Sequence, residues 1–305
     1  MAGKPNQQDG ILILDKPSGP TSSGCLQTIK HTLGQKKIGH AGTLDPMATG
    51  VLIVLLGQGT KLAPYLTVGT KTYKGELQLG VITDTYDRQG VILEEHPWEH
   101  LTKKEVEHEV LLWQALTHQE VPPVSAAKHH GKPLYKLHRA GEKVPVKIKP
   151  IHISQVEILS LDLPLVQFRV TCSQGTYIRS LAHSLGKRLE CGAMLTSLTR
   201  ERCHPFGLEQ AHSLEDMIAD GEHFSDRVIS LTDALPHWPH VVLDEEETNE
   251  VKNGTWLLAN VHDLPLEGEK RLFLAPDQST PLALVEATMR NNIMHWAILR
   301  GLWSA

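Results

Sequence analysis

The sequence predicts an α+β protein: a mixed, largely antiparallel sheet with flanking helices forms a large first domain, and a small β-rich domain follows. Three observations carry this. Apolar runs and helical repeats are interspersed without the regular strand–helix–strand alternation of a parallel sheet. The stretch KTYKGELQLG alternates at strand period, with Tyr73, Gly75, Leu77 and Leu79 on one face and Thr72, Lys74, Glu76 and Gln78 on the other. After about residue 235, short apolar runs are punctuated by Asn-Gly, Pro-Asp and Arg-Asn turn signals. The chain has 305 residues, 40% of them hydrophobic, enough for one large core and one small one. The boundary is placed near Pro236–Pro239, giving domains 1–237 and 238–305.

The elements follow in order. ILILD at 11–15 reads as a short buried strand, and KPSGPTS after it as a turn. Leu26, Ile29 and Leu33 share a helical face, with Gly34 where a C-terminal cap belongs. A Gly-rich loop over 39–50 leads into the apolar strand 51–56. Thr102 and Glu105 form a capping box ahead of Val106, Val110, Leu111 and Leu116. Residues 128–149 carry seven Lys and Arg against the single acid Glu142, an exposed basic excursion. Val166, Phe168, Val170 and Cys172 then alternate as a strand, SQGT turns, and Ile178, Leu181, Ala182, Leu185 and Leu189 repeat as a helix. Arg179 sits at that junction.

Composition excludes several classes. No apolar run approaches the length of about 18 residues that a membrane helix needs. MAGKPNQQDG lacks the apolar core of a signal peptide, and the four cysteines are scattered, so the expected compartment is the cytoplasm. The 18 histidines form no His-Glu-x-x-His, and there is no Cys-x-x-Cys; no metal site and no cofactor are expected. Net charge is −5, yet it is segregated: +4 over 1–80, −6 over 81–120, +8 over 121–205 and −11 over 206–305. Local basic segments of this kind suit a phosphate-contacting face, although chance clustering of solvated lysines gives the same pattern.

Asp45 precedes Pro46, which pushes it into an extended conformation, while Gly39, Gly42 and Gly50 permit tight turns and close approach of another molecule. An Asp-Pro in such a loop is by itself usually only a turn. The segments GILILDKPSGPTS, KKIGHAGTLDPMATGVL, KTYKGELQLG and CSQGTYIRSLAHSLGK, in this order, closely resemble the TruB-type pseudouridine synthases, which modify uridine 55 in the T loop of tRNA. The resemblance spans residues 10–205, and the tail is similar, more weakly, to the PUA RNA-binding domain.

The resemblance implies a catalytic role for Asp45, whose type of side chain is ionised at neutral pH without a partner base (pKa about 3.9). It implies that Arg179 of GTYIR holds that carboxylate through two parallel hydrogen bonds. Tyr73 matches the tyrosine that packs on the target base and is a candidate for proton transfer; an ordinary core tyrosine would show the same alternation. Tyr177 and Leu198 match positions lining the uracil pocket. His40 matches the histidine that fills the place of a flipped-out base. Residues 128–149 correspond to an RNA-clamping insertion, and Lys16, Lys128 and Arg200 are the expected phosphate contacts. The expected partner is the tRNA T stem-loop, bound by a monomer with no obligatory protein partner and no membrane. Two departures stand out: Thr199 occupies a place where the family carries an arginine, and the tail is acidic. A catalytically silent RNA-binding protein and a guide-RNA-dependent synthase are the competing readings.

Overall fold

The computed structural model describes residues 7–219, 223–259 and 265–303. Its main sheet is built from β1 (Gly10–Lys16), β2 (Ile38–Ala41), β3 (Thr49–Leu56), β4 (Lys71–Leu79), β5 (Ile153–Asp162), β6 (Leu165–Cys172) and β7 (Ala193–Cys203). The order across it is β5-β6-β4-β7-β3-β1 with the short strand His212–Ser213 at the far edge, while β2 also pairs with β3. Its pairings are antiparallel except β7 with β3 and β1 with His212–Ser213. Helices α1 (Ser22–Thr32), α2 (Lys103–Leu111) and α3 (Ile178–Arg188) lie on one face.

Sequence patterning follows burial strand by strand. Leu12 and Leu14 of β1 and Leu52, Val54 and Leu56 of β3 join the core under the helices, whereas Ile11, Ile13, Val51, Ile53 and Leu55 join a second core on the opposite face. Strands buried on both faces read as continuous apolar runs, hence ILIL and VLIVLL. β4 and β6 bury only one face, so they alternate. Tyr73, Leu77, Leu79, Val166, Phe168 and Val170 point to the helices, while Arg169 on the open face pairs with Glu157 and Glu201.

The helix signals also resolve. Thr102 and Glu105 make the reciprocal capping box of α2, although Leu111, placed by periodicity on its buried face, is 45% exposed. Gly34 follows α1 at φ 62°, the left-handed conformation that favours glycine after a helix end. One expectation needs correction and another an addition. The loop read over 39–50 begins with a strand, β2, that contains His40. The tail read as β-rich also holds a helix, Glu245–Lys252, capped by Asp244 and Glu247.

That tail forms a second sheet in the order His240–Val242, Lys270–Leu274, Pro281–Arg290, Ile293–Gly301, Leu257–Leu258. It shares the second core, where Leu272, Leu274, Leu284 and Leu302 meet Ile11, Ile13, Val51 and Ile53 together with Trp238. Lys61 reinforces the junction by donating to the Gly301 and Trp303 carbonyls. Re-exposing a buried Leu or Ile costs roughly 1.5–3 kcal/mol, against a total stability of about 5–15 kcal/mol. Ending the chain at residue 238 is therefore expected to lower the melting temperature by roughly 10 °C or more in calorimetry. An unchanged melting temperature would show that the two sheets are not energetically coupled.

Candidate functional site

The loop 42–48 carries Asp45 and is held from several directions. Lys16 is fully buried, and its ammonium donates to the carbonyls of Pro17 (2.8 Å), Pro46 (3.1 Å) and Ala48 (2.7 Å). Arg200, 1% exposed, donates to the carbonyls of Val51 (2.7 Å), Gly42 (3.0 Å) and Thr43 (3.5 Å). Ser22 both accepts from the Leu44 N–H (2.9 Å) and donates to its carbonyl (3.0 Å). Gly50 has φ 99°, and a Cβ there would collide with the Arg200 carbonyl across the parallel β3–β7 pair. Lys16 and Arg200 are thus corrected from phosphate contacts to internal braces, because both side chains are buried and their donors are already occupied by backbone carbonyls. Burial pushes the Lys16 ammonium below its ordinary pKa.

Asp45 faces Arg179 across the junction of the loop and the first turn of α3. Arg179 Nε donates to one carboxylate oxygen at 2.8 Å and Nη2 to the other at 3.0 Å, the two-pronged geometry that the family resemblance implies. The Arg179 side chain is 5% exposed and that of Asp45 34%, so the cation is enclosed while the anion meets solvent. Arg179 also donates from Nη1 to the Thr85 carbonyl (2.8 Å) and from Nη2 to the Val124 carbonyl (3.0 Å). A second carboxylate, buried Asp87, lies 3.5 Å from Nε and accepts from Thr85 Oγ1 (2.7 Å) and the Gln89 N–H (3.0 Å).

Asp45 and Arg179 border a cleft of about 590 Å³ that Tyr73, Tyr177, Leu198 and Arg200 also line. That volume lies within the roughly 300–1,000 Å³ typical of small-molecule sites. Tyr73 is buried on β4 between Val170 of β6 and Arg200 of β7, and burial pushes its phenol up to about 12. It stays protonated at neutral pH. Tyr177 precedes α3 with its backbone clamped by Gln119, which accepts from the Tyr177 N–H (2.6 Å) and donates to its carbonyl (3.2 Å). Leu198 on β7 lies opposite Gly75. Lys71 and Lys149 add two cations to the lining.

The other expected contacts spread outward. His40 lies on β2, half-buried and outside the cleft lining, with Nδ1 buried and lacking a hydrogen-bond partner; burial, then Arg200, lowers its pKa. Lys128 is exposed in a two-strand hairpin with Lys132–Pro133. The basic excursion is folded: the helix Leu134–Arg139 buries Leu134 and Leu137 against Val121, beside Tyr177, and leaves Lys132, Lys136, Arg139 and Lys143 exposed. Thr199 bonds Thr49 (2.8 Å) across β7 and β3. In the tail, Lys270 and Arg271 are each paired with a glutamate, Glu286 and Glu269.

Sequence reasoning missed Asp87, Thr85, Gln119 and Lys71, and named Lys149 only as part of the basic excursion 128–149. Nothing in VITDTYDRQG separates Asp87 from an ordinary turn aspartate. Only the approach of residues 85–87 to α3 gives it a role. The four cysteines are free and buried, and no helix among the described residues is long and apolar enough to cross a membrane.

Comparison with known proteins identifies the family. The family model described as TruB family pseudouridylate synthase (N terminal domain) matches residues 30–178. The chain is 53% identical over 309 residues to the tRNA pseudouridine synthase B of Nitratidesulfovibrio vulgaris (strain DSM 19637 / Miyazaki F), covering 100% of each. It is 43% identical to that of Geobacter sulfurreducens, covering 81% of this chain and 82% of the relative. A solved Cbf5-Nop10-Gar1 complex contains a chain of like fold, with a TM-score of 0.69 at 24% identity over 97% of this chain and 85% of that one. From its 53% identity over the full length of the Nitratidesulfovibrio vulgaris relative, together with the family-model match, the chain belongs to the TruB family of pseudouridylate synthases.

Proposed function

We propose that this enzyme converts uridine 55 in the T loop of tRNA to pseudouridine, with Asp45 as the catalytic carboxylate. The observation that carries the proposal is the Asp45 carboxylate held two-pronged by enclosed Arg179 beside the cleft, at 2.8 and 3.0 Å. In this isomerisation the C1′–N1 bond breaks, the uracil turns, and C1′ bonds to C5. The proton leaves C5 and a proton ends on N1, so no co-reactant is consumed. Asp45 supplies the anion beside the base and sugar, and Arg179 keeps it aimed. Leu198 and Tyr177 border the space for the detached uracil.

A uridine within a folded loop reaches this cleft only by leaving its stack. His40 is assigned to fill the vacated place, a role its flat ring suits; in the protein, burial and then Arg200 lower its pKa. The exposed cations around Lys128, Lys132 and Lys136 contact phosphates, a role supported by the +8 charge of residues 121–205. Residues 1–237 form the catalytic unit and 238–305 a PUA-like unit, whose acidity and paired cations favour a minor share of RNA binding. The enzyme acts as a monomer in the cytoplasm, without a guide RNA, a reading supported by full-length identity to proteins named for tRNA.

Purified protein incubated with an unmodified tRNA transcript, mapped base by base, tests this. Pseudouridine at position 55 of the T loop is expected; product elsewhere, or only after adding a partner, overturns it. Tyr73→Phe keeps the ring and removes the only acidic hydrogen it offers. Its single-turnover rate is expected to fall by about 100-fold or more with affinity nearly unchanged. Full activity would reduce Tyr73 to packing.

A further inference from the structure

Arg179 and His183 are four residues apart on α3 and therefore share a face of the helix. The turn 84–87 meets both. At Arg179 it supplies the Thr85 carbonyl, 2.8 Å from Nη1, and the Asp87 carboxylate, 3.5 Å from Nε. At His183 it supplies the ring of Tyr86, stacked on the imidazole with centroids 3.7 Å and planes 6° apart.

Tyr86 stands between the two acceptors with φ 65°, a left-handed conformation that a residue with a side chain rarely adopts and that persists only when its surroundings hold it. On one side the backbone is tied to β7: the Leu195 N–H donates to the Tyr86 carbonyl (3.0 Å), and the Arg88 N–H to the Leu195 carbonyl (2.9 Å). On the side of α3 the turn is held by Arg179 itself and by the ring stack. His183 Nδ1 is buried without a hydrogen-bond partner, so packing holds this ring. Burial, with Lys187 nearby, keeps its pKa below the ordinary value, and the two rings meet uncharged. Tyr86, Ser180 and His183 border a separate cleft of about 300 Å³, which gives the Tyr86 ring room to swing away if the imidazole is lost.

We propose that Tyr86 and His183 are positioning residues for the Asp45–Arg179 pair: their stack fixes the turn whose carbonyl and carboxylate orient the guanidinium that aims Asp45. The proposal rests on the reading of Asp45 as the catalytic carboxylate. Neither ring lines the reaction cleft, so their effect falls on rate and not on RNA affinity. A displacement of about 1 Å at a reacting group is enough to cost up to a hundredfold in rate.

The test uses the full chain and an unmodified tRNA transcript, with Asp45→Asn as control and melting temperatures measured throughout. Tyr86→Ala and His183→Ala are each expected to slow single turnover about tenfold or more, with tRNA affinity within about twofold. Tyr86→Leu, which keeps apolar volume without a ring, should be as slow and guards against simple loss of folding. Tyr86→Phe should restore the rate to within about twofold, because the stack needs only the ring. His183→Ala combined with Asp87→Asn should cost less than the product of the two, since both act through one guanidinium. Folded alanine variants at full rate, Tyr86→Phe as slow as Tyr86→Ala, or multiplicative losses would each overturn the proposal. Turnover by Asp45→Asn would instead overturn the reading beneath it, whatever the stack variants do.

Discussion

Asp45→Asn is expected to yield no measurable pseudouridine, a loss of at least about 10⁴-fold or 5 kcal/mol in the barrier, while tRNA affinity stays within about tenfold. The loop should survive the change. Its anchors from Lys16, Arg200 and Ser22 go to backbone groups of residues 42–51, and none uses the Asp45 side chain. The loss is chemical. An amide has one acceptor oxygen and brings an NH₂ against a guanidinium that donates twice, so one of the 2.8 and 3.0 Å bonds becomes a contact between donors. More important, it removes the anion that the proposed mechanism places beside the broken glycosidic bond. The measurement is pseudouridine mapping on the transcript, with mass spectrometry excluding deamidation back to aspartate. Product formed by the intact asparagine variant would falsify the assignment.

Much of this architecture is written locally. ILIL and VLIVLL announce strands buried on both faces, KTYKGELQLG a strand buried on one, and Thr102 with Glu105 the start of a helix. The position of Asp45 and its pairing with Arg179 were also legible, but through resemblance, since 134 residues separate them and no periodicity links them. Lys16 and Arg200 show where such reading fails. A cation beside a glycine-rich loop looks the same whether it meets a phosphate or a carbonyl. What decides between them is burial and the partner met there, which for Arg200 is the carbonyl of Val51, 149 residues away. The helix Glu245–Lys252 was missed because its Asp244–Glu247 box precedes a mostly polar segment with few apolar repeats. Asp87 needed the structure outright, because its meaning lies in its distance from Arg179.

That distance makes Arg179→Lys the second change with a large expected effect. The guanidinium serves four separate acceptors: both Asp45 oxygens, the Thr85 carbonyl and the Val124 carbonyl, with the Asp87 carboxylate against Nε as well. An ammonium has three donors on a single nitrogen and cannot span this arc, although it keeps the positive charge. Whichever way it turns, an enclosed carbonyl or the buried Asp87 loses its partner, and an uncompensated buried charge destabilises by about 3–5 kcal/mol. Two consequences should therefore appear together. Single turnover on the transcript should fall by about 10³-fold or more, since Asp45 is no longer held from two sides. The melting temperature should also drop by several degrees, because the turn 84–87 loses its hold on α3. The combination separates this site from simple charge conservation, under which lysine would retain both rate and stability. A lysine variant with near-wild-type rate would remove the two-pronged argument, and one that melts normally would show that Asp87 does not depend on the guanidinium.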